Sequence, residues 1–367
     1  MDYKDLEAFQ TPISHQTDVA LKIAKQLLDS EFKGKNMIYS PLSIHIVLSL
    51  IAARTNNPHF VSFLNSKSID DLNSLAYNLV TSVLADTPSR GGPRLNFTNG
   101  LWVDESTPLE ESYKKVLLDS YKAALNEVDF KTDPEKVRIQ VNSWVEKETR
   151  GLTPEILPPG SVHSATGLIF ANALYFKATW NDGYFYKPPK SEDLKFYLLN
   201  GEDCALEDFD NGTYKHDPRS FSMLWLLPDA RDGLPALAER VCSESGFLDR
   251  HLNLKFESFT WVRVKKFLIP KFKISSGFEA SDVLKKIGMG DGCDSMAIFH
   301  ESVIDVDENG TTAAAATCAQ VYCSMGSPPK PKEIEEFVAD HPFMFLIREN
   351  RTGTVLFMGQ VLNPLAG

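Results

Sequence analysis

Apolar residues in the first third of the chain recur at helical spacing. Val19, Ile23 and Leu27 stand four apart, with Thr17 or Asp18 placed to cap the segment and Gly34 beyond its end, so a helix is predicted there. Met37–Tyr39 is a short apolar strand. Ser40 and Pro41 then supply an N-cap and a first-turn proline for an apolar helix from Leu42 to Ala53. Ser68-Ile-Asp-Asp71 has the form of a capping box for a helix running to Leu84. Leu95–Val103 is a strand, and Asp133-Pro134 opens a helix with Val137, Val141, Trp144 and Val145 on one face, closed by Gly151.

From Leu168 to Phe176 the pattern changes. The run is continuously apolar except for Asn172, which suits a strand buried on both faces in the middle of a sheet. An asparagine there needs a hydrogen-bond partner or costs a few kcal/mol, and a structural core residue is the plain reading of it. Further strands are predicted over Lys195–Leu199, Phe221–Leu227, Asn253–Phe256 and Val262–Ile274, the last broken at Pro270. Lys265, Lys266, Lys271 and Lys273 in that last stretch fit a solvated face or a protected edge. A short helix over Phe278–Ile287 and terminal strands over Phe343–Arg348 and Val355–Val361 complete a mixed α+β chain, helices early and strands late. His341, beside Pro342, reads as a structural residue in a strand.

Composition narrows the classes. The 367 residues contain no Gly/Ser or Pro linker, and 43% hydrophobic content with 23 Phe fills one large core, so a single domain over 1–367 is expected. A net charge of −11 disfavours nucleic acid as a partner. The start lacks the pattern of a signal peptide, no apolar run is long enough to span a bilayer, and the five cysteines have no ligand-like spacing. Those features point to reduced thiols and a cytoplasmic or nuclear setting, with no metal and no cofactor. Sequons at Asn96, Asn211, Asn309 and Asn350 then read as chance matches. Gly-x-Ser-x-Gly, His-Glu-x-x-His, Walker and Gly-x-Gly-x-x-Gly patterns are all missing. Cys318 and Cys323 lie in a polar loop unsuited to hold a thiolate beside a base, so catalysis is not expected.

The stretch from Val306 to Phe345 fits none of these patterns. Four alanines, Ala313 to Ala316, sit between threonines, after Gly310 and before a Gly/Pro-rich polar run, and no large side chain anchors Thr311 to Ala319. Local propensity favours a short helix, marginal without packing partners. Read as a strand, the segment sends Thr311, Ala313, Ala315, Thr317, Ala319 and Val321 to one face, and a set so small and uncharged fits between two existing strands. Thr312, Ala314, Ala316, Cys318, Gln320 and Tyr322 then face outward.

Glu308-Asn-Gly-Thr-Thr-Ala-Ala-Ala-Ala-Thr317 resembles the hinge of the reactive-centre loop of an inhibitory serpin. Phe337-Val-Ala-Asp-His-Pro-Phe-Met-Phe-Leu-Ile347 resembles the serpin C-terminal signature in its plant-type, serpin-Z-like form, and Asn36–Ile44 resembles the family's N-terminal block. The resemblance implies the serpin fold, with three β-sheets, about eight to nine helices and an exposed reactive-centre loop over 308–336. It implies a monomeric suicide inhibitor that traps a serine or cysteine endopeptidase as an acyl-enzyme while the loop enters the main sheet. Family spacing from Glu308 puts the scissile bond at Ser324-Met325. Asn172 and Trp180 are implied to support the place of insertion, along with His341, Pro342 and Phe343. The stretches Arg54–Phe60, Leu206–Phe221 and Ile287–Ile298 are shorter than the family pattern. A second reading therefore stands beside the first: a non-inhibitory or degenerate relative that is merely cut.

Overall fold

The computed structural model describes residues 3–85, 94–149, 151, 153, 155–177, 194–198, 203–206, 221–244, 246–248, 262–289, 296–306 and 332–366. Eight α-helices lie among them: α1 (Tyr3–Asp29), α2 (Pro41–Thr55), α3 (Pro58–Phe63), α4 (Ile69–Asn78), α5 (Glu111–Asp119), α6 (Pro134–Glu148), α7 (Leu234–Ser243) and α8 (Ala280–Lys286). The strands are β1 (Met37–Tyr39), β2 (Arg94–Asp104), β3 (Ala124–Val128), β4 (Leu168–Lys177), β5 (Leu194–Tyr197), β6 (Asp203–Leu206), β7 (Phe221–Leu226), β8 (Val262–Leu268), β9 (Phe272–Glu279), β10 (Met296–Val306), β11 (Lys332–Val338), β12 (Phe343–Glu349) and β13 (Val355–Val361).

Capping chemistry sets several of these boundaries. The Ser40 hydroxyl accepts from the Ser43 N–H at 3.1 Å and Pro41 opens α2, as the sequence predicts. Residues 41–52 of α2 are all buried, so these three turns form a central rod without a solvent face, and only the last turn, Ala53 to Thr55, is partly exposed. Ser68 caps α4 by accepting from Asp71 N–H, and a π turn over Leu79–Val83 carries the chain on to Leu84. Asp133 caps α6, and Gly151 closes its far end at φ +82°, a left-handed conformation that suits glycine. At the N-terminus the structure departs from expectation. Thr17 does not start α1. Its hydroxyl donates back to the Ile13 carbonyl at 3.0 Å, and the helix extends through Pro12 to Tyr3.

Hydrogen bonding orders the main sheet as β3-β2-β4-β10-β9 and a second sheet as β1-β13-β12-β7, with two small pairs, β11-β8 and β5-β6. β4 is the middle strand of five. Its Phe170, Leu174 and Phe176 join the large core around α2, while Ile169, Ala171 and Ala173 pack with Val137, Val141 and Val145 of α6. Burial on both faces explains the unbroken apolar run that marks this strand in the sequence. The second sheet closes against β1 through Gly359, where a Cβ would stand 2.4 Å from the Met37 carbonyl oxygen. His341 lies in the connection between β11 and β12 rather than in a strand.

Candidate functional site at the centre of the main sheet

β10 lies directly beside β4 and parallel to it, in register from Met296 opposite Leu168 to Val303 opposite Tyr175. β2 flanks β4 antiparallel on one side, and β9 flanks β10 antiparallel on the other. β4–β10 is thus the parallel seam at the heart of the sheet, and β10 ends at Val306, immediately before the hinge-like segment.

The seam carries a row of buried polar groups. Asn172 of β4 and His300 of β10 are register partners, each 1% exposed, with Ser302 and Asn99 buried nearby. The Asn172 amide donates to Asn99 Oδ1 on β2, and Asn99 Nδ2 donates to the Tyr121 carbonyl at 3.2 Å. The Asn172 amide is therefore partnered, as its burial requires. Across the seam, the Ser40 N–H at the start of α2 donates to His300 Nε2 at 3.0 Å, and Ser302 Oγ lies 2.9 Å from the same nitrogen. Burial alone pushes the His300 imidazole down to about 3, so the ring is neutral at physiological pH. With Nε2 accepting, the ring proton belongs on Nδ1. Neither that nitrogen nor Asn172 Oδ1 has a hydrogen-bond partner among the described residues.

His341 is gripped at both ring nitrogens, by the Asp340 carboxylate at 2.6 Å and the Pro228 carbonyl at 2.7 Å. Pro342 and Phe343 are buried beside it, and the Phe343 ring lies 6.0 Å from that of Phe272 on β9. This trio sits at the start of β12, where Phe343 meets Phe272 of the main sheet. Glu308 to Thr317, Ser324, Met325 and Trp180 lie outside the described residues, as does the predicted strand Asn253–Phe256.

Sequence pattern alone does not mark His300, Ser302, Ser40 or Asn99 as members of the site. Their common signal is polarity inside elements otherwise committed to the core, and only the paired strands show that these residues meet. Among the described residues no group of three or more His, Cys, Asp or Glu is placed to hold a metal ion. No described helix is long and apolar enough to cross a membrane.

The family profile described as "Serpin (serine protease inhibitor)" matches residues 14–207 and 213–364. Its interruption, residues 208–212, falls within the stretch between Leu206 and Phe221. Serpin-ZX of Arabidopsis thaliana is 41% identical over 96% of this chain and 98% of its own length. Serpin-ZXA of Oryza sativa subsp. japonica is 41% identical over 96% and 97%. Among solved structures, Arabidopsis AtSerpin1 in its native stressed conformation superposes with a TM-score of 0.81 at 38% identity, covering 100% of this chain and 99% of that one. Uncleaved ovalbumin, 19% identical with a TM-score of 0.73 over 96% of this chain and 100% of its own, shares the fold. A hinge-like sequence, a parallel central seam that leads straight toward it, and a family match over nearly the whole length give one conclusion: the chain belongs to the serpin family.

Proposed function

We propose that the chain is one inhibitor domain, residues 1–367, which traps a serine or cysteine endopeptidase by inserting its cut loop into the β4–β10 seam. The observation that carries this reading is the direct parallel pairing of β4 with β10, the strand that leads into Glu308. A segment that reverses direction after Val306 runs antiparallel to both strands. Entering between them, it replaces one parallel pair with two antiparallel pairs, the slightly more stable arrangement per residue.

Simple counting gives a register. If Asp307 to Gly310 form the reversal, Thr311 faces Val306, Ala313 faces Ile304, Ala315 faces Ser302, and Thr317 faces His300. The small inward set then fills the seam without a volume clash, and the Thr317 hydroxyl arrives where His300 Nδ1 and Asn172 Oδ1 have no partner among the described residues. Ten to fifteen residues of new ladder at about 1 kcal/mol net per hydrogen bond supply on the order of 10–15 kcal/mol. That rivals the net stability of an ordinary domain, about 5–15 kcal/mol, and is enough to distort a tethered protease.

In this reading Ser324-Met325 is the reactive bond, and Glu308, Gly310 and Thr311 to Thr317 are the hinge. Asn172, Trp180 and the His341–Phe343 trio support the rearrangement. The chain acts as a non-catalytic monomer in cytoplasm or nucleus, on a protease that accepts a small residue. Incubation with a panel of serine and cysteine proteases tests the reading. An SDS- and heat-resistant complex is expected with at least one, and mass spectrometry locates the cut. Clean cleavage by every protease, with no complex, would replace it with the merely cut relative.

A further inference from the structure

We propose that the outer edge of β7 takes up an extended peptide strand of another protein, and that Arg348 pairs with a carboxylate which that strand brings. Hydrogen bonding places β7 last in the second sheet. β12 pairs with it from Met344–Leu226 to Glu349–Phe221, and no described strand pairs on its other side. Only residues 207–220 join β6 to β7, and the family profile breaks off within them, at 208–212.

Burial marks the same edge. Every residue of β1, β12 and β13 is buried, whereas every residue of β7 is partly exposed. The strand reads Phe-Ser-Met-Leu-Trp-Leu, with no charge and no proline to block pairing. Charges, prolines and bulges are the usual protection of an edge, and β7 pairs with β12 without a bulge. An extended peptide adds to such an edge through main-chain hydrogen bonds, while its alternate side chains supply selectivity.

Arg348 is the group that selects. It is 2% exposed, and its Nε and Nη1 have no hydrogen-bond partner among the described residues. The adjacent carboxylate is spent elsewhere: Glu349 points to the opposite face of β12 and accepts from the Arg351 and Thr352 N–H groups and the Thr352 hydroxyl. A buried guanidinium without an acid is costly, and a carboxylate meets its paired donors. The register partner of Arg348 on β7 is Ser222, the smallest side chain of that strand. A residue added outside Ser222 faces the same side of the sheet, with its Cα about 9.6 Å from that of Arg348, two strand spacings. An arginine and a glutamate side chain together close that span across a serine. The β7 strand of a second copy brings no acid to this point, and a net charge of −11 opposes self-association. The occupant is therefore a foreign strand with one acidic residue among apolar ones.

The test uses the peptide fluorescein-Lys-Val-Thr-Val-Thr-Glu-Thr-Lys-amide, which sets its glutamate outside Ser222 when it lies antiparallel to β7. One control peptide has Gln in place of Glu, and another has Pro-Pro in place of the central Val-Thr. Fluorescence anisotropy on the intact chain is expected to show saturable binding of the glutamate peptide, about tenfold or more tighter than the glutamine peptide. The proline peptide, which lacks two N–H donors, is expected not to bind. Hydrogen exchange of the Ser222–Leu226 amides is expected to slow on binding. Arg348→Met, and Ser222→Leu, which closes the line to Arg348, are each expected to bind the glutamate and glutamine peptides alike. Ser222→Leu carries this comparison if melting curves show Arg348→Met unfolded. Equal binding of the two peptides by the wild type overturns the role of Arg348. Failure of the glutamate peptide to bind, or equal binding of the proline peptide, overturns the edge. Dimerisation in sedimentation that the peptide does not displace also overturns it, and assigns β7 to a second copy. None of these measurements involves a protease, so they stand apart from failure of the inhibitory reading.

Discussion

Asn172 and His300 are register partners across the β4–β10 seam, each almost wholly buried and each bonded away from the other. Asn172 turns to Asn99 on β2, and His300 turns to the Ser40 N–H at the head of α2. The two halves of the sheet are thus tied to different neighbours, while among the described residues one polar atom on each side of the seam has no partner. Buried unpaired polar groups cost free energy, and under the proposed mechanism a strand entering the seam would bring partners to these two atoms.

Removing the Asn172 side of that arrangement exposes its worth. Asn172→Ala leaves Asn99 Oδ1 without a donor and is expected to cost about 1–3 kcal/mol, read as a lower urea midpoint. Asn99→Ala is expected to cost a similar amount. The double variant should cost less than the sum of the two, and strict additivity would show that the bond contributes nothing.

Acid is expected to destabilise the chain through its buried histidines. Burial pushes His300 down to about 3 and His45 down to about 4, while histidines of the unfolded chain titrate near 6.5. Below that value the unfolded state holds more protons, so stability present above pH 6.5 is lost as pH falls toward the folded values. Each group contributes a slope of up to about 1.4 kcal/mol per pH unit. In His300→Gln the fall in stability between roughly pH 6 and 4.5 should be shallower than in the wild type. Parallel curves would remove His300 from the acid response.

Two glycines separate a tight backbone contact from a yielding one. At Gly359 an added Cβ meets the Met37 carbonyl, part of the backbone pairing of β1 with β13. At Gly277 it meets the Glu301 carboxylate, the far end of a flexible side chain that bonds Ser275. Gly359→Ala should cost more than about 2 kcal/mol and Gly277→Ala less than about 1, measured by chemical unfolding. The reverse order would contradict the packing of the second sheet.

Thr311→Arg places a long cation in the inward set, and a charge entering the seam finds no partner there. This variant should be cut at the wild-type rate yet form little stable complex, as measured by the ratio of cleaved to trapped protein. An unchanged ratio would mean that the segment does not enter through that face.

Much of this architecture is legible in the chain itself. Ser40-Pro41 announces α2, and the unbroken run around Asn172 announces a central strand, because capping and two-sided burial leave local marks. β10 leaves none. His300, Glu301 and Ser302 interrupt its apolar pattern, and the burial of His300 and Ser302 makes sense only once the Ser40 N–H is seen to supply a partner. Thr17 misleads for a related reason: a hydroxyl that caps a helix also bonds backward inside one, and only the residues upstream of Ile13 decide between them. The hinge shows its small-residue alternation plainly, but the seam that would receive it is a property of paired strands.

A crystal structure of the chain cut after Ser324 tests insertion most directly. The account predicts β4 and β10 separated by two strand spacings, roughly 9.6 Å, with Thr311 onward lying antiparallel between them and Thr317 beside His300. If β4 and β10 remain hydrogen-bonded from Met296–Leu168 to Val303–Tyr175 in the cut chain, the central claim is wrong.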